Sequence, residues 1–559
     1  MKHFPVVFLG FILLCANILS AQDISQLSKQ QAVSIRGSLS TTANIYGISG
    51  KTSTRDPFNY MLSGNVDLSV YGVSLPFSFM YSGQNIAYTQ PFNRFGISPH
   101  YKWIKTHFGY RSMNFSSYTL AGHSFLGAGV ELNPGKFRLA GVYGRFKQKT
   151  IPNTANPIDT LYAPTRKGYS VKLGFGSNEN FFDLIFLQIS DDSLSVDLSQ
   201  GNSAMKLPQS NTVLGTHFRF KLAKSLVWET EGALSLLTKN TGDQLISDID
   251  IALIQQLSGA LNLNASSEYA TAWNSSLMYS AKLYSLGLQY RRISPNYQSF
   301  GAYYFNTDIE NLTINGKFSA FKRKLNVNGN VGLQRDNLRG NKASQSVRVI
   351  SMANANYNTG KVFSINGSFS NYSINQQAGR LPLNDTIKLY QTNRSINLMP
   401  MLTFTKAELQ QVVQLNAMFT DMIDHNLLST NNSNVNTRML MLNYFVNHTK
   451  LEASLMTGIN YTSMTSAVYN QTLYGFTADV SKSFLKSKLN PGLSFSVNRS
   501  ELGGETGWVN TLSAMLTYKP HKKHSFKMNV TYIMNNYPGS SIAVSYRETK
   551  ALFSYVYRI

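Results

Sequence analysis

Apolar and polar positions alternate with a period of two along most of this chain. Leu325, Val327, Gly329, Val331 and Leu333 interleave with Asn326, Asn328, Asn330, Gly332 and Gln334. Phe363, Ile365, Gly367 and Phe369 interleave with Ser364, Asn366, Ser368 and Ser370, and Phe526, Met528, Val530, Tyr532 and Met534 with Lys527, Asn529, Thr531, Ile533 and Asn535. Successive side chains of a strand point to opposite sides, so each segment predicts a strand with one apolar and one wetted face. The stretch Lys406 to Thr420 has helix-forming composition. Its Leu409, Val413, Leu415, Ala417 and Phe419 nevertheless fall on odd positions against Gln410, Gln414, Asn416 and Thr420, and despite Val412 and Met418 it reads as strand.

Between the alternating runs, short and long connections take turns. Twelve short ones centre near Gly72, Ile104, Pro134, Asn178, Lys224, Leu283, Arg323, Gly360, Ala407, Thr449, Leu485 and Lys522. With a first strand near Val33 to Tyr46 and a last ending at Ile559, they predict about 26 strands, within a range of 22 to 26. An even number places both chain ends on the short-turn side. Lys149 to Lys167, Asp191 to Ser210 and Ile374 to Thr392 are longer and polar. Thr241 to Trp273 fits the pattern worst and is expected to be an inward loop, a short helix or a missed pair of strands.

Composition decides what covers the apolar face. No run of about 18 apolar residues follows the N-terminus, which excludes a spanning helix. Charged residues are only 14% of the chain, against roughly 25% in soluble domains. Aromatics reach 12%, with 31 Tyr and 33 Phe. A secreted sandwich or solenoid would put frequent charge on its wet face. Here that face is Asn, Ser, Thr and Gly, and no repeat of fixed length exists. The expectation is an all-β, closed antiparallel transmembrane barrel with short periplasmic turns and long extracellular loops, since lipid leaves no open strand edge satisfied.

At the N-terminus, Lys2 and His3 precede an apolar run from Phe4 to Leu14, with small residues near Ala21. This predicts a signal peptide over 1–21, a short periplasmic segment over 22–32 and one barrel domain over 33–559, with 241–273 as a candidate insertion. Leu14 before Cys15 argues against a lipoprotein. The only cysteine leaves with the signal, removing disulfides, thiol nucleophiles and Cys-based zinc sites.

No catalytic, cofactor-binding or metal-binding motif is found: HExxH, a Gly-rich phosphate loop and GxSxG are all missing. His521 with His524, and His100 with His107, read as solvated turn residues. Net charge is +23. Such an excess first suggests nucleic acid, but a cell-surface barrel meets none. Charges on the polar strand face are expected to line the lumen: Asp67, Lys172, Arg219, Glu452, Asp479 and Lys527. A second group clusters at short turns: Lys322, Arg323, Lys324, Lys482, Lys486, Lys488, Lys519, Lys522 and Lys523. These form a basic periplasmic rim, either as ordinary solvated turns or as a dock for anionic headgroups or an acidic partner.

With its leader, dyad repeat and loop asymmetry, the chain resembles Gram-negative outer-membrane β-barrel proteins over the whole mature length, and the final alternation Phe553, Tyr555, Tyr557, Ile559 looks like their barrel-assembly signal. Ile559 departs from the usual terminal Phe or Trp. Abundant Asn and Tyr look like barrels from Bacteroidota. No stretch before Val33 is long enough for the plug of a TonB-dependent transporter or the hatch of a fatty-acid transporter. The resemblance implies an outer-membrane location, contact with outer-membrane lipid and lipopolysaccharide, and handling by the barrel-assembly machinery. The expected function is a porin-like transport pore for polar solutes. The alternative is a non-enzymatic barrel that anchors a surface adhesin or serves a type IX-like secretion machine through a periplasmic or surface partner.

Overall fold

The computed structural model describes residues 32–53, 55–83, 93–149, 163–195, 206–244, 263–342, 344–378, 390–426, 434–467, 470–540 and 543–559. The expected signal peptide lies outside them, as does the segment 22–32 apart from Ala32. The described residues form an all-β antiparallel barrel of 26 staves, each hydrogen-bonded to the next in chain order. The first, Val33–Ser49, closes the ring by pairing with the last, Tyr546–Arg558, from Ser38↔Arg558 to Ser49↔Arg547. The Ile559 amide adds a bond to the Gly37 carbonyl at 3.0 Å.

The fourth stave is broken into Arg94–Ile97 and His100–Tyr101. Pro99 sits at the break, where it cannot donate to a ladder. The Arg111 guanidinium, from the neighbouring Ile104–Asn114, spans the gap. It donates to the carbonyls of Pro76 and Gly96 and to the Ser78 hydroxyl.

All twelve short turns fall where the alternation placed them, from Tyr71-Gly72 to residues 519–523. The doubtful stretch after Lys406 is strand: Tyr390–Lys406 turns through Ala407 and Glu408 into Leu409–Asp424. Of Thr241 to Trp273, the last seven residues belong to the strand Ser267–Ser280, while 245–262 lie outside the described residues. One connection on the long-loop side has only two residues. Gly503 and Gly504, at φ 58° and 88°, join Leu489–Leu502 to Glu505–Tyr518 in a hairpin turn that only glycine enters without strain.

Residues paired across neighbouring strands share a face, so inside and outside can be followed around the ring through the registers. Outside is an apolar band that begins at the short turns, as with Leu325, Val327, Val331 and Leu333, or Phe404, Leu402, Leu398 and Ile396. Many of these side chains are exposed, which in water would be a large unfavourable surface and in lipid is a matched one.

Candidate functional site

The strand Phe181–Asp192 explains how part of the lumen is filled. Its outward Phe182 and Leu184 are exposed, yet its inward Ile185, Leu187 and Ile189 are fully buried. A strand apolar on both faces needs cover on the inside as well as lipid on the outside. Two long-side connections supply it: residues 115–120, before Ala121–Leu132, and residues 294–308, between Tyr284–Ile293 and Ile309–Ala320. Tyr118, Leu120, Tyr297 and Phe300 pack with Leu187, Val213 and Ala272 into one buried cluster.

Backbone and side-chain bonds fix the two loops to each other and to the wall. The Tyr297 hydroxyl donates to the Tyr118 carbonyl at 2.6 Å, Ser299 Oγ donates to the Thr119 carbonyl at 2.6 Å, and the Ala121 amide donates to the Gly301 carbonyl at 2.9 Å. On the wall, buried Asn211 donates to the Gln298 carbonyl at 3.3 Å and accepts from the Phe300 amide at 3.0 Å. The Arg166 guanidinium lies 3.3 Å over the Phe300 ring. Burial pushes the Tyr118 and Tyr297 phenols up from their ordinary range. Close approach demands glycine at Gly301, where a Cβ would stand 2.5 Å from Leu187 Cδ1 and 2.6 Å from the Thr119 carbonyl.

The sequence does not single out either of these two loops. The expected inward segment Thr241 to Trp273 has 245–262 outside the described residues, and Ile374 to Thr392 has 379–389 outside them.

Five of the six expected lumen charges lie on the inward face: Asp67, Lys172, Arg219, Asp479 and Lys527. Glu452 does not. It ends the short turn before Ala453–Ser466, at φ 47°, and accepts a bond from Ser487 Oγ at 2.8 Å. Alternation cannot tell a strand's last residue from its turn.

Beneath the loops the inward charges are paired. Arg138 grips Asp183 with two bonds of 2.8 and 3.0 Å, Arg219 Nη1 is 3.5 Å from Glu229, and His217 bonds Glu229 at 3.0 Å. Lys172 has its ammonium 5.3 Å from the Phe115 ring centroid. His107 is a second correction. It is no solvated turn residue but lies inside Ile104–Asn114, 4% exposed, bonded to Glu131 at 2.8 Å and Ser98 at 3.0 Å. Because its strand starts only three residues earlier, proximity to a turn hid an inward position. Of the other histidines, His100 and His521 are exposed, and His524 bonds the Tyr555 hydroxyl at 2.9 Å.

From Leu325–Arg335 round to Ala453–Ser466 the inward face carries, among the described residues, only two charged side chains, Arg348 and Asp424. It carries amides and hydroxyls such as Asn328, Asn354, Ser368 and Asn397, and, unexpectedly, thioethers: Met352, Met399, Met401, Met418, Met439 and Met441 all point inward. Met418 and Met439 stand directly opposite each other. Farther round, Met456, Asp479, Ser494, Ser513, Met515 and Asn529 line a hollow of about 440 Å³. Of these, only Met418 stands out in the sequence, as a departure from the alternation of Lys406 to Thr420.

The expected basic rim is present at the short turns. Lys322, Arg323 and Lys324, then Lys482, Lys486 and Lys488, then Lys519, Lys522 and Lys523 make no ion pair among the described residues. Nearer the N-terminus the same rim is partly neutralised, as in Lys105–Glu131 at 3.2 Å and Lys221–Glu179 at 3.1 Å. Phe321, Lys322 and Arg323 are consecutive left-handed residues, as are Leu485, Lys486 and Ser487. Among the described residues no group of three or more His, Cys, Asp or Glu side chains is placed to hold a metal.

No protein-family model and no curated protein matches the chain. Among solved structures it is similar to the translocation pore of the P pilus usher PapC, at 10% identity and a TM-score of 0.40, over 94% of this chain and 99% of that one. It is similar to the FrpB iron transporter of Neisseria meningitidis at 11% identity and 0.39, over 95% and 83%. It is also similar to OccK2 of Pseudomonas aeruginosa at 11% and 0.29, over 94% and 98%. At these scores the likeness carries no argument about substrate or partner.

Proposed function

We propose that the protein is an outer-membrane pore whose passage runs along the methionine and amide wall, opposite the wall that the two inward loops cover. One observation carries this reading: among the described residues the buried cluster of the loops spans the arc from Ile104–Asn114 to Ile309–Ala320, and the inner face beyond it carries mainly amides, hydroxyls and thioethers. A wall of amides, hydroxyls and soft thioethers, with few fixed charges, suits polar or amphiphilic solutes better than inorganic ions. In planar bilayers the purified barrel should conduct in discrete steps with weak ion selectivity. A barrel that never conducts, even after the 294–308 loop is shortened, would sink the proposal.

The uncompensated cations of the rim favour a second reading, a barrel that docks an acidic periplasmic partner, as an adhesin anchor or secretion component would. Lys522→Glu with Lys523→Glu should then abolish capture of a partner by the wild-type barrel while leaving conductance intact. Unchanged capture removes that role from this turn.

A further inference from the structure

The outward face carries, at one level around the ring, cations that lipid contact alone does not explain. On Leu325–Arg335 the outward series runs Leu325, Val327, Gly329, Val331, Leu333 and then Arg335. On Tyr390–Lys406 it runs from Phe404 up to Ile396 and then Arg394, and on Leu489–Leu502 from Leu489 up to Val497 and then Arg499. Ten residues at about 3.3 Å each, tilted by about 40°, rise about 25 Å, the height of an apolar band. Each arginine thus stands at the long-loop edge of that band. The short-turn edge is aromatic instead, with Tyr518, Phe526 and Tyr555 on the outward face.

The arginines are built in, not merely trailing from a strand. Arg292 and Arg335 flank Glu310 from both sides, Arg292 at 3.5 Å, and the Tyr290 hydroxyl donates to the same carboxylate at 2.6 Å. Arg394 pairs with Asp421 at 3.3 Å, with Arg438 diagonally across on the same face. Arg499 pairs with Glu501 at 3.1 Å, and the Tyr474 hydroxyl donates to Glu501 at 2.7 Å. The central carboxylate is sunk and the cations are presented: the Glu310 side chain is 13% exposed, those of Arg292 and Arg335 are 46% and 57%. A carboxylate between two guanidiniums leaves net positive charge and aims both planar forks outward, the geometry that binds phosphate through paired bonds.

We infer that the clusters about Glu310 and Asp421, each with one more guanidinium than carboxylate, are phosphate-binding sites for the phosphorylated glycolipid of the outer leaflet, which they would hold against the barrel wall. Three features select this occupant. The sites face lipid, not the lumen. They stand at headgroup height. Among the described residues these carboxylate-centred arginine clusters lie on the long-loop edge, whereas the cations of the short-turn edge are mostly lysines set in the turns themselves.

The test uses the full-length barrel in neutral detergent, with diphosphorylated lipid A, monophosphorylated lipid A and phosphatidylethanolamine as probes and native mass spectrometry as the readout. The wild type should retain several molecules of diphosphorylated lipid A, fewer of the monophosphorylated form, and phosphatidylethanolamine at least tenfold more weakly. Arg292→Gln with Arg335→Gln should remove about one bound molecule, and Arg394→Gln with Arg438→Gln another. Arg335→Lys, which keeps charge but loses the fork, should retain lipid A with intermediate affinity and guards against misreading a folding defect. Equal retention of lipid A by the wild type and all Gln variants, or equal retention of phosphatidylethanolamine, overturns the inference. Conductance of the same preparations should not change, so this result stands apart from the pore reading.

Discussion

Tyr297 and Asp183 show what single residues hold in place. The Tyr297 phenol is buried and its pKa is raised, chiefly by desolvation, with Tyr118 beside it shifted the same way. A raised pKa means the protonated form is the one the fold favours. The stabilisation is therefore complete below the free phenol value of about 10 and is lost as pH rises through the folded value. The loops should stay docked through neutral pH and release only above about 10, seen as phenolate absorbance rising together with conductance; in Tyr297→Phe that alkaline rise should be smaller. Asp183 is 1% exposed and doubly bonded to Arg138, so Asp183→Ala leaves a half-buried guanidinium without its counter-charge. A loss of about 3 kcal/mol in unfolding free energy is expected from urea titration, whereas Asp67, at a part-buried site with a single hydroxyl partner, should matter less. None of these pairings was legible in the sequence. Arg138 and Asp183 are 45 residues apart and meet only through register, and His107 gave no sign of being buried.

Among elements, what could be read was what depends on neighbours in sequence. Alternation and turn chemistry are local, and strands such as Leu325–Arg335 and every short turn follow from them. The inward loops are not local. Residues 115–120 and 294–308 meet across about 180 positions, and neither is long or apolar enough to announce itself. One signal did exist. The run Phe181-Phe182-Asp183-Leu184-Ile185-Phe186-Leu187 has no polar face, and an inward covering follows from that alone. Replacing Tyr297 and Phe300 by Ser removes two buried aromatic side chains, each worth about 3 to 5 kcal/mol on truncation. The loops should detach without unfolding the barrel, because every stave keeps its ladder. The expected outcome is a severalfold rise in single-channel conductance with unchanged heat-modifiable mobility on gels. Unaltered conductance would mean that the loops lie outside the conducting path.

For the whole molecule the decisive element is the seam. A ring of 26 staves, at about 4.8 Å spacing and about 40° tilt, has a circumference near 160 Å and, if round, a diameter of about 50 Å. Strand pairing closes this wide ring, and the described residues contain no cysteine that could cross-link it. Closure therefore rests on Val33–Ser49 finding Tyr546–Arg558, the pair most distant in sequence. Placing Pro at Thr42 removes a donor at a residue registered with both neighbouring strands, whereas the native Pro400 and Pro491 are each registered with one neighbour only. Thr42→Pro should cost about 3 kcal/mol or more and abolish the barrel's resistance to unheated detergent, while Thr42→Val, which keeps the backbone and suits a strand, should preserve it. The same change in an edge-free ring also tests closure itself. If the seam were an open pair of edges in the membrane, the strand could shift its unsatisfied side outward and the variant would stay folded; a ring has no such side, and the whole sheet must give way.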